Sequence, residues 1–297
     1  APRPTVLPSA TAPRHSAAAW EHFERLGRPR FICAPMVDGS ELPFRMQVRR
    51  HGAQLAYTPM LHAALFASTE KFRTDNFTTC DGDRPLAVQF CANDPSTLLA
   101  AAKLVEGQCD AVDINLGCPQ RIARKGHYGA FLMDEWDLIA DMVSTLHRGL
   151  KVPVWCKIRV FDDVEKTVAY AKMIQDAGCY LLAVHGRTRE QKGHNMGLAN
   201  WSTIAAVKRA LSIPVFANGN VRNLDEAEEC LSATGCDGVM SADPLLKNPH
   251  LFAGEVGGDP FALAREYLEY VFKYPTRPGI VRGHLFKILE QPLDGKG

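Results

Sequence analysis

The segment DINLGCPQRIARKGHYGA, residues 113–130, sets a thiol, Cys118, between a glycine and a proline just past an apolar run at 111–114. Asn115 lies between run and thiol, and Arg121, Arg124 and Lys125 follow it. A thiol of ordinary pKa, near 8.5, is mostly protonated at neutral pH yet can release its proton. Alone, such a cysteine is more often inert and buried than reactive. Further candidate residues stand in or just past other apolar runs. They are Pro35, Met36 and Val37; Gln89; Lys157 and Arg159; His185, Gly186 and Arg187; Asn218, Gly219 and Asn220; and Ser241, Ala242 and Asp243. Each has an ordinary reading of its own: a satisfied core amide, a rim lysine, a loop-bridging histidine, a turn, a solvated basic face.

The elements that carry these residues decide whether they meet. Eight short apolar runs, at 31–34, 54–57, 86–90, 111–114, 154–158, 181–184, 215–217 and 238–240, alternate with helical patterns at 94–105, 134–146, 164–177, 201–211 and 224–232. Continuous rather than alternating apolar strands indicate a buried parallel sheet. Eight strand–crossover units predict an α/β chain, a (β/α)8 TIM barrel over residues 28–252. A doubly wound open sheet is the alternative, but no Gly-x-Gly-x-x-Gly follows the first strand. Beyond residue 252, two helical stretches without an intervening strand predict the start of a small, truncated helical domain over 253–297. Residues 1–27 are expected to be a disordered tail, because the first 19 are Pro, Ala, Ser, Thr, Arg and His-rich without an acid. A processed transit segment is the less favoured reading of that end.

In a barrel, function gathers on the loops past the strands' C-terminal ends, so all these residues would share one mouth. Together they suit a flavin. Gln89 can donate to and accept from the pyrimidine edge. Lys157 and His185 can supply positive charge where reduction builds negative charge. The glycine- and asparagine-rich turn 218–220 and the Ala242–Asp243 step supply backbone N–H groups where barrels commonly hold phosphate.

The composition is that of an ordinary globular chain: 297 residues, 46% hydrophobic, 23% charged, formal net charge +1. No global field points to a polyanion, so a nucleic-acid site must come from local clustering. No apolar run approaches the roughly 18 residues of a membrane span. Nine cysteines with no CxxC pair argue for a reducing compartment and against a zinc ribbon or disulfide framework.

The motifs APMVDGSELPFR (34–45), VQFCAND (88–94), DINLGCPQ (113–120), VWCKIRV (154–160), AVHGRTREQKG (183–193) and VFANGNV (215–221) resemble the flavin-dependent tRNA-dihydrouridine synthases. The likeness runs from about residue 28 to 290. The stretches RRHGAQLAYTPMLHA and GHYGAFLMDEWDL are similar to the eukaryotic class acting on D-loop positions 16 and 17.

That resemblance implies an FMN barrel followed by a helical RNA-recognition domain, NADPH as reductant, tRNA as partner, no metal, and a cytoplasmic place with the nucleus as a second. It implies that Pro35, Met36, Val37, Gln89, Lys157, His185, Asn218, Gly219 and Asn220 hold FMN. Cys118 would be the proton donor, with Asn115 against flavin and uracil. Arg121, Arg124, Lys125 and Arg187 would face the RNA, whose target base must be flipped out. Where many members have Gly-Arg at the eighth strand, this chain has Ala242 and Asp243, so phosphate contact there falls to backbone N–H groups. Two other readings share part of this pattern: an FMN barrel acting on a free pyrimidine, and a flavin-free RNA-binding barrel.

Overall fold

In a computed structural model, residues 12–254 and 259–290 are described. Nine strands run in parallel: β1 (Phe31–Cys33), β2 (Leu55–Tyr57), β3 (Leu61–His62), β4 (Leu86–Cys91), β5 (Ala111–Leu116), β6 (Val154–Arg159), β7 (Leu181–His185), β8 (Val215–Asn218) and β9 (Gly238–Ser241). β1 pairs with both β2 and β9, and β2 also pairs with β4, so eight strands close into a barrel. β3, a two-residue strand that the sequence pattern did not suggest, lies outside this ring and pairs with β4 past its closure with β2. The helices between strands include Pro95–Lys103, Trp136–Gly149, Val164–Asp176, Trp201–Ala210 and Leu224–Thr234. Asp94, Asp163, Asn200 and Asn223 cap four of them by accepting from free backbone N–H groups.

The two-residue period of a strand sorts each run into an outward and an inward set. Ile32, Leu55, Tyr57, Ala87, Ala111, Trp155, Leu181, Ala183, Phe216 and Met240 fill the barrel interior. Gly238 shares this inward parity because a Cβ there would lie 2.7 Å from Ile32 and 2.8 Å from Phe216. Continuing the same parity toward the strands' C-terminal ends gives Gln89, Asp113, Asn115, Lys157, His185, Asn218 and Ala242. One alternation therefore builds an apolar floor and a polar mouth.

The expected tail over 1–27 is corrected from residue 12 onward; residues 1–11 lie outside the described ones. Ala12–Arg25 is a helix across the barrel floor. Phe23 is buried with its ring 6.0 Å from Phe216, and Trp20 donates to the Ser212 carbonyl at 2.8 Å. The burial available beneath the barrel outweighs a tail-like composition.

Two further helices, Pro260–Lys273 and Pro278–Ile288, pack against the barrel-side helix Leu42–Arg50 and each other. Buried Glu41 accepts from Tyr267 at 2.8 Å and His284 at 2.9 Å. A second joint brings His51 to Glu266 at 2.7 Å, with Gln47 and Arg50 on the same carboxylate at 3.2 Å.

Candidate active site

At the mouth, Gln89 and Asp113 face each other in register on β4 and β5, and Asn115 faces Lys157 on β6. Gln89 Nε2 donates to Asp113 Oδ2 at 2.8 Å, and Asn115 Nδ2 donates to Gln89 Oε1 at 2.8 Å. Asn115 Oδ1 accepts from the N–H groups of Gly117 and Cys118 at 3.1 and 2.9 Å. Polar contact thus runs unbroken from the barrel interior to the thiol's own backbone. Burial pushes the Asp113 carboxyl up to about 7, against the Gln89 hydrogen bond and the nearby Lys157 charge.

The Cys118 turn is fixed at consecutive carbonyls. Arg159 Nε donates to Gly117 O at 2.9 Å, Ala130 N to Cys118 O at 3.1 Å, and Lys192 Nζ to Pro119 O at 2.7 Å. Gly129, at φ +66°, brings the next loop so close that a Cβ would lie 2.8 Å from the Cys118 carbonyl. Arg159 also donates to the Thr188 and Gln191 carbonyls at 2.7 and 2.9 Å. The loop after β7 is thereby tied to the loop after β5, and Cys118 stays half-buried on a braced turn.

Lys157 has no hydrogen-bond partner among the described residues. Burial, with Arg159 nearby, lowers its ammonium to about 8. His185 was expected to add positive charge, and this is corrected. Burial and the Lys157, Arg159 and Arg187 charges hold its ring well below the ordinary histidine range, so it is neutral. Arg187 Nη1, which can only donate, lies 3.0 Å from His185 Nε2, leaving the imidazole proton on Nδ1.

Arg187, expected at the substrate, spends its other donors on Asn220 Oδ1 and Gly197 O at 2.8 and 3.0 Å. Asn220, in the left-handed region at φ +63°, also binds both backbone groups of Ala199, so its side chain braces the loop. Asn218 donates to Met240 O at 2.9 Å. Gly219, at φ +112°, leaves no room for a side chain, since a Cβ would lie 2.6 Å from that of Ala199. Among the described residues the N–H groups of Gly219, Asn220 and Ala242 have no partner, and they sit together past β8 and β9. Asp243 turns away to Lys287 at 2.8 Å.

Pro35 and Met36 are half-buried past β1, and Val37 is exposed. Arg121, Arg124 and Lys125 are exposed on the short helix Arg121–Gly126, directly after the Cys118 turn. A cleft of about 310 Å³ opens between Val37, Met60, Arg277 and Ile280, and Arg277 spans it to Asp38 at 2.7 Å. Asp113, Lys192 and Gly129 were not singled out from sequence, and Arg159 was marked only by its place at the end of the fifth run. For Asp113 a signal was available, its inward parity with Asn115.

Residues 32–272 match the family model described as dihydrouridine synthase (Dus). The chain belongs to the dihydrouridine synthase family. A mouse protein named tRNA-dihydrouridine(16/17) synthase [NAD(P)(+)]-like is 54% identical over 270 residues, covering 90% of this chain and 57% of its own length. A Saccharomyces cerevisiae protein named tRNA-dihydrouridine(16/17) synthase [NAD(P)(+)] is 53% identical over 282 residues, covering 90% and 67%. The chain thus spans a little over half of the mouse relative. Among solved structures, a 2-naphthoyl-CoA reductase complex superposes with a TM-score of 0.57 at 10% identity, covering 75% of this chain and 49% of that one. That likeness speaks to the barrel fold.

Proposed function

We propose that this chain carries the catalytic barrel of a tRNA-dihydrouridine synthase that reduces uridine to 5,6-dihydrouridine at D-loop positions 16 and 17, using FMN and NADPH. One observation carries the reading. A half-buried thiol, Cys118, is braced through its own carbonyl and those on either side, at the rim of a mouth that also presents Gln89, Asn115 and the unpartnered Lys157 ammonium. The mouth fits the cofactor: a lone cation, an amide and a cluster of free backbone N–H groups answer to a flavin's anionic edge, its pyrimidine edge and its phosphate. Bound there, FMN would supply the hydride that C6 of uracil requires.

This chain's own residues do the rest. Lys157 offsets charge at the flavin's N1 and O2. Neutral His185 offers the N–H of its Nδ1. Gln89 and Asn115 present amides to the rings. Cys118 delivers a proton to C5 of a flipped-out base. Arg121, Arg124 and Lys125 meet the phosphates flanking that base. The two C-terminal helices read as an RNA-recognition element, and the unpaired cysteines agree with a reducing compartment, the cytoplasm or nucleus.

The test is direct. The purified protein should be yellow, with close to one FMN per chain. With NADPH and tRNA lacking the modification, it should form dihydrouridine at positions 16 and 17, read by mass spectrometry of nuclease fragments. A colourless protein that takes up no added FMN and leaves the tRNA unchanged would overturn the reading.

A further inference from the structure

Asp113 is fully buried between Ala111 and Asn115 on the inward parity of β5. Its Oδ2 accepts from Gln89 Nε2, and its Oδ1 has no partner among the described residues. Gln89 donates to that oxygen, so the NH2 end of its amide faces the barrel interior. Gln89 Oε1 must then point at Asn115, which must answer with Nδ2. Asn115 Oδ1 is left facing the N–H groups of Gly117 and Cys118. Two amides, each able to sit either way round, are held from both ends of the row, by the Asp113 carboxyl within the barrel and by the Gly117 and Cys118 N–H groups at the rim.

We propose that Asp113 is a positioning residue: it anchors the inner end of the Gln89–Asn115 relay and, through it, the seat of the Cys118 turn. The proposal deepens the function given above and rests on it for the importance of Cys118. With an apolar side chain at 113, the Gln89 amino group either stays inward with no acceptor or turns over. Turned over, it would present a donor to the Asn115 donor. Asn115 would then turn its own amino group toward two backbone donors. In either state a buried donor in the row lacks an acceptor, and the seat of the Cys118 turn is weakened.

Asp113→Asn keeps a carbonyl to accept from Gln89 without the charge, and Asp113→Leu removes the acceptor. The readout is the alkylation rate of Cys118 by iodoacetamide in folded, FMN-free protein, followed by mass spectrometry of its peptide. Half-buried Cys80 serves as the internal reference. The leucine variant should alkylate Cys118 about tenfold faster, as one lost buried hydrogen bond allows. The asparagine variant should stay within about twofold of wild type, with Cys80 unchanged in both.

Equal Cys118 rates in wild type and a folded leucine variant would overturn the proposal. So would parallel acceleration of Cys80, which would mean general loosening. Should the leucine variant not fold, Gln89→Leu breaks the same relay one residue along, and the same acceleration is expected of it. A wild type that binds no FMN would count against the proposed function, while the alkylation comparison would still decide the relay.

Discussion

Cys118 separates the two halves of the proposed reaction. Flavin reduction by NADPH needs no thiol, whereas reduction of uridine needs an acid at C5. Cys118→Ala should leave flavin bleaching near its normal rate. Reoxidation by tRNA should slow about 10²–10⁴-fold, the usual loss for a positioned general acid. Cys118→Ser should be nearly as slow, because a hydroxyl is a far weaker acid. Stopped-flow absorbance of the flavin reads both steps, and equal reoxidation rates in all three proteins would remove Cys118 from the chemistry.

Lys157 gives a pH signature. Its ammonium titrates near 8, so FMN affinity should fall as pH rises through that value, and Lys157→Arg should keep the affinity flat to higher pH. Asp113 gives another. It ionises near 7 in the fold and near 3.9 in an unfolded chain, so the native state holds more protons between those values. Stability of the FMN-free protein should therefore decline from about pH 4 to 7 on its account. Asp113→Asn should raise the thermal midpoint relative to wild type more at pH 8 than at pH 4.

At the scale of elements, the strands were legible in sequence because burial on both faces leaves a continuous apolar signal. The runs at 154–158 and 181–184 end within one residue of β6 and β7. The short β3 and the floor helix were not legible, for the same reason: their partners are distant in sequence. Ala19, Trp20 and Phe23 gain their burial from β8 and the barrel floor, which no local pattern displays. Lys192 was hidden likewise, and Arg159 showed only its place at the end of the fifth run, since their value lies in carbonyls 73 and 42 residues away.

The floor helix can be tested by itself. Phe23→Ala should cost about 3–5 kcal/mol in denaturant unfolding, as large core truncations do, whereas a disordered tail would show no change. The short helix after Cys118 makes a different prediction. Replacing Arg121, Arg124 and Lys125 together by alanine should raise the apparent KM for tRNA and flatten its salt dependence, with flavin reduction untouched. An unaltered salt slope would mean that these residues never meet phosphate.

Across the whole molecule, the C-terminal helices are held to the barrel by buried Glu41. Burial raises its carboxyl, but the hydrogen bonds from His284 and Tyr267 more than offset this and leave it below the ordinary carboxylate range. Its folded pKa is depressed, so its contribution is present at neutral pH and lost as pH falls through that lowered value. Glu41→Gln should cost about 1–3 kcal/mol at pH 7. Limited proteolysis should then cut around residues 274–278 first, between the two helices.

The closed floor also bears on the order of events. With Phe23 and Trp155 sealing one end of the barrel, the flavin would be reachable from the other end alone. Nicotinamide and uracil would need the same doorway and could not stand in it together. The enzyme would have to discharge the first visitor before admitting the second, storing the electrons in between. Reciprocal plots of initial rate against tRNA at several NADPH concentrations should therefore run parallel rather than converge, and an excess of either substrate should hinder the other.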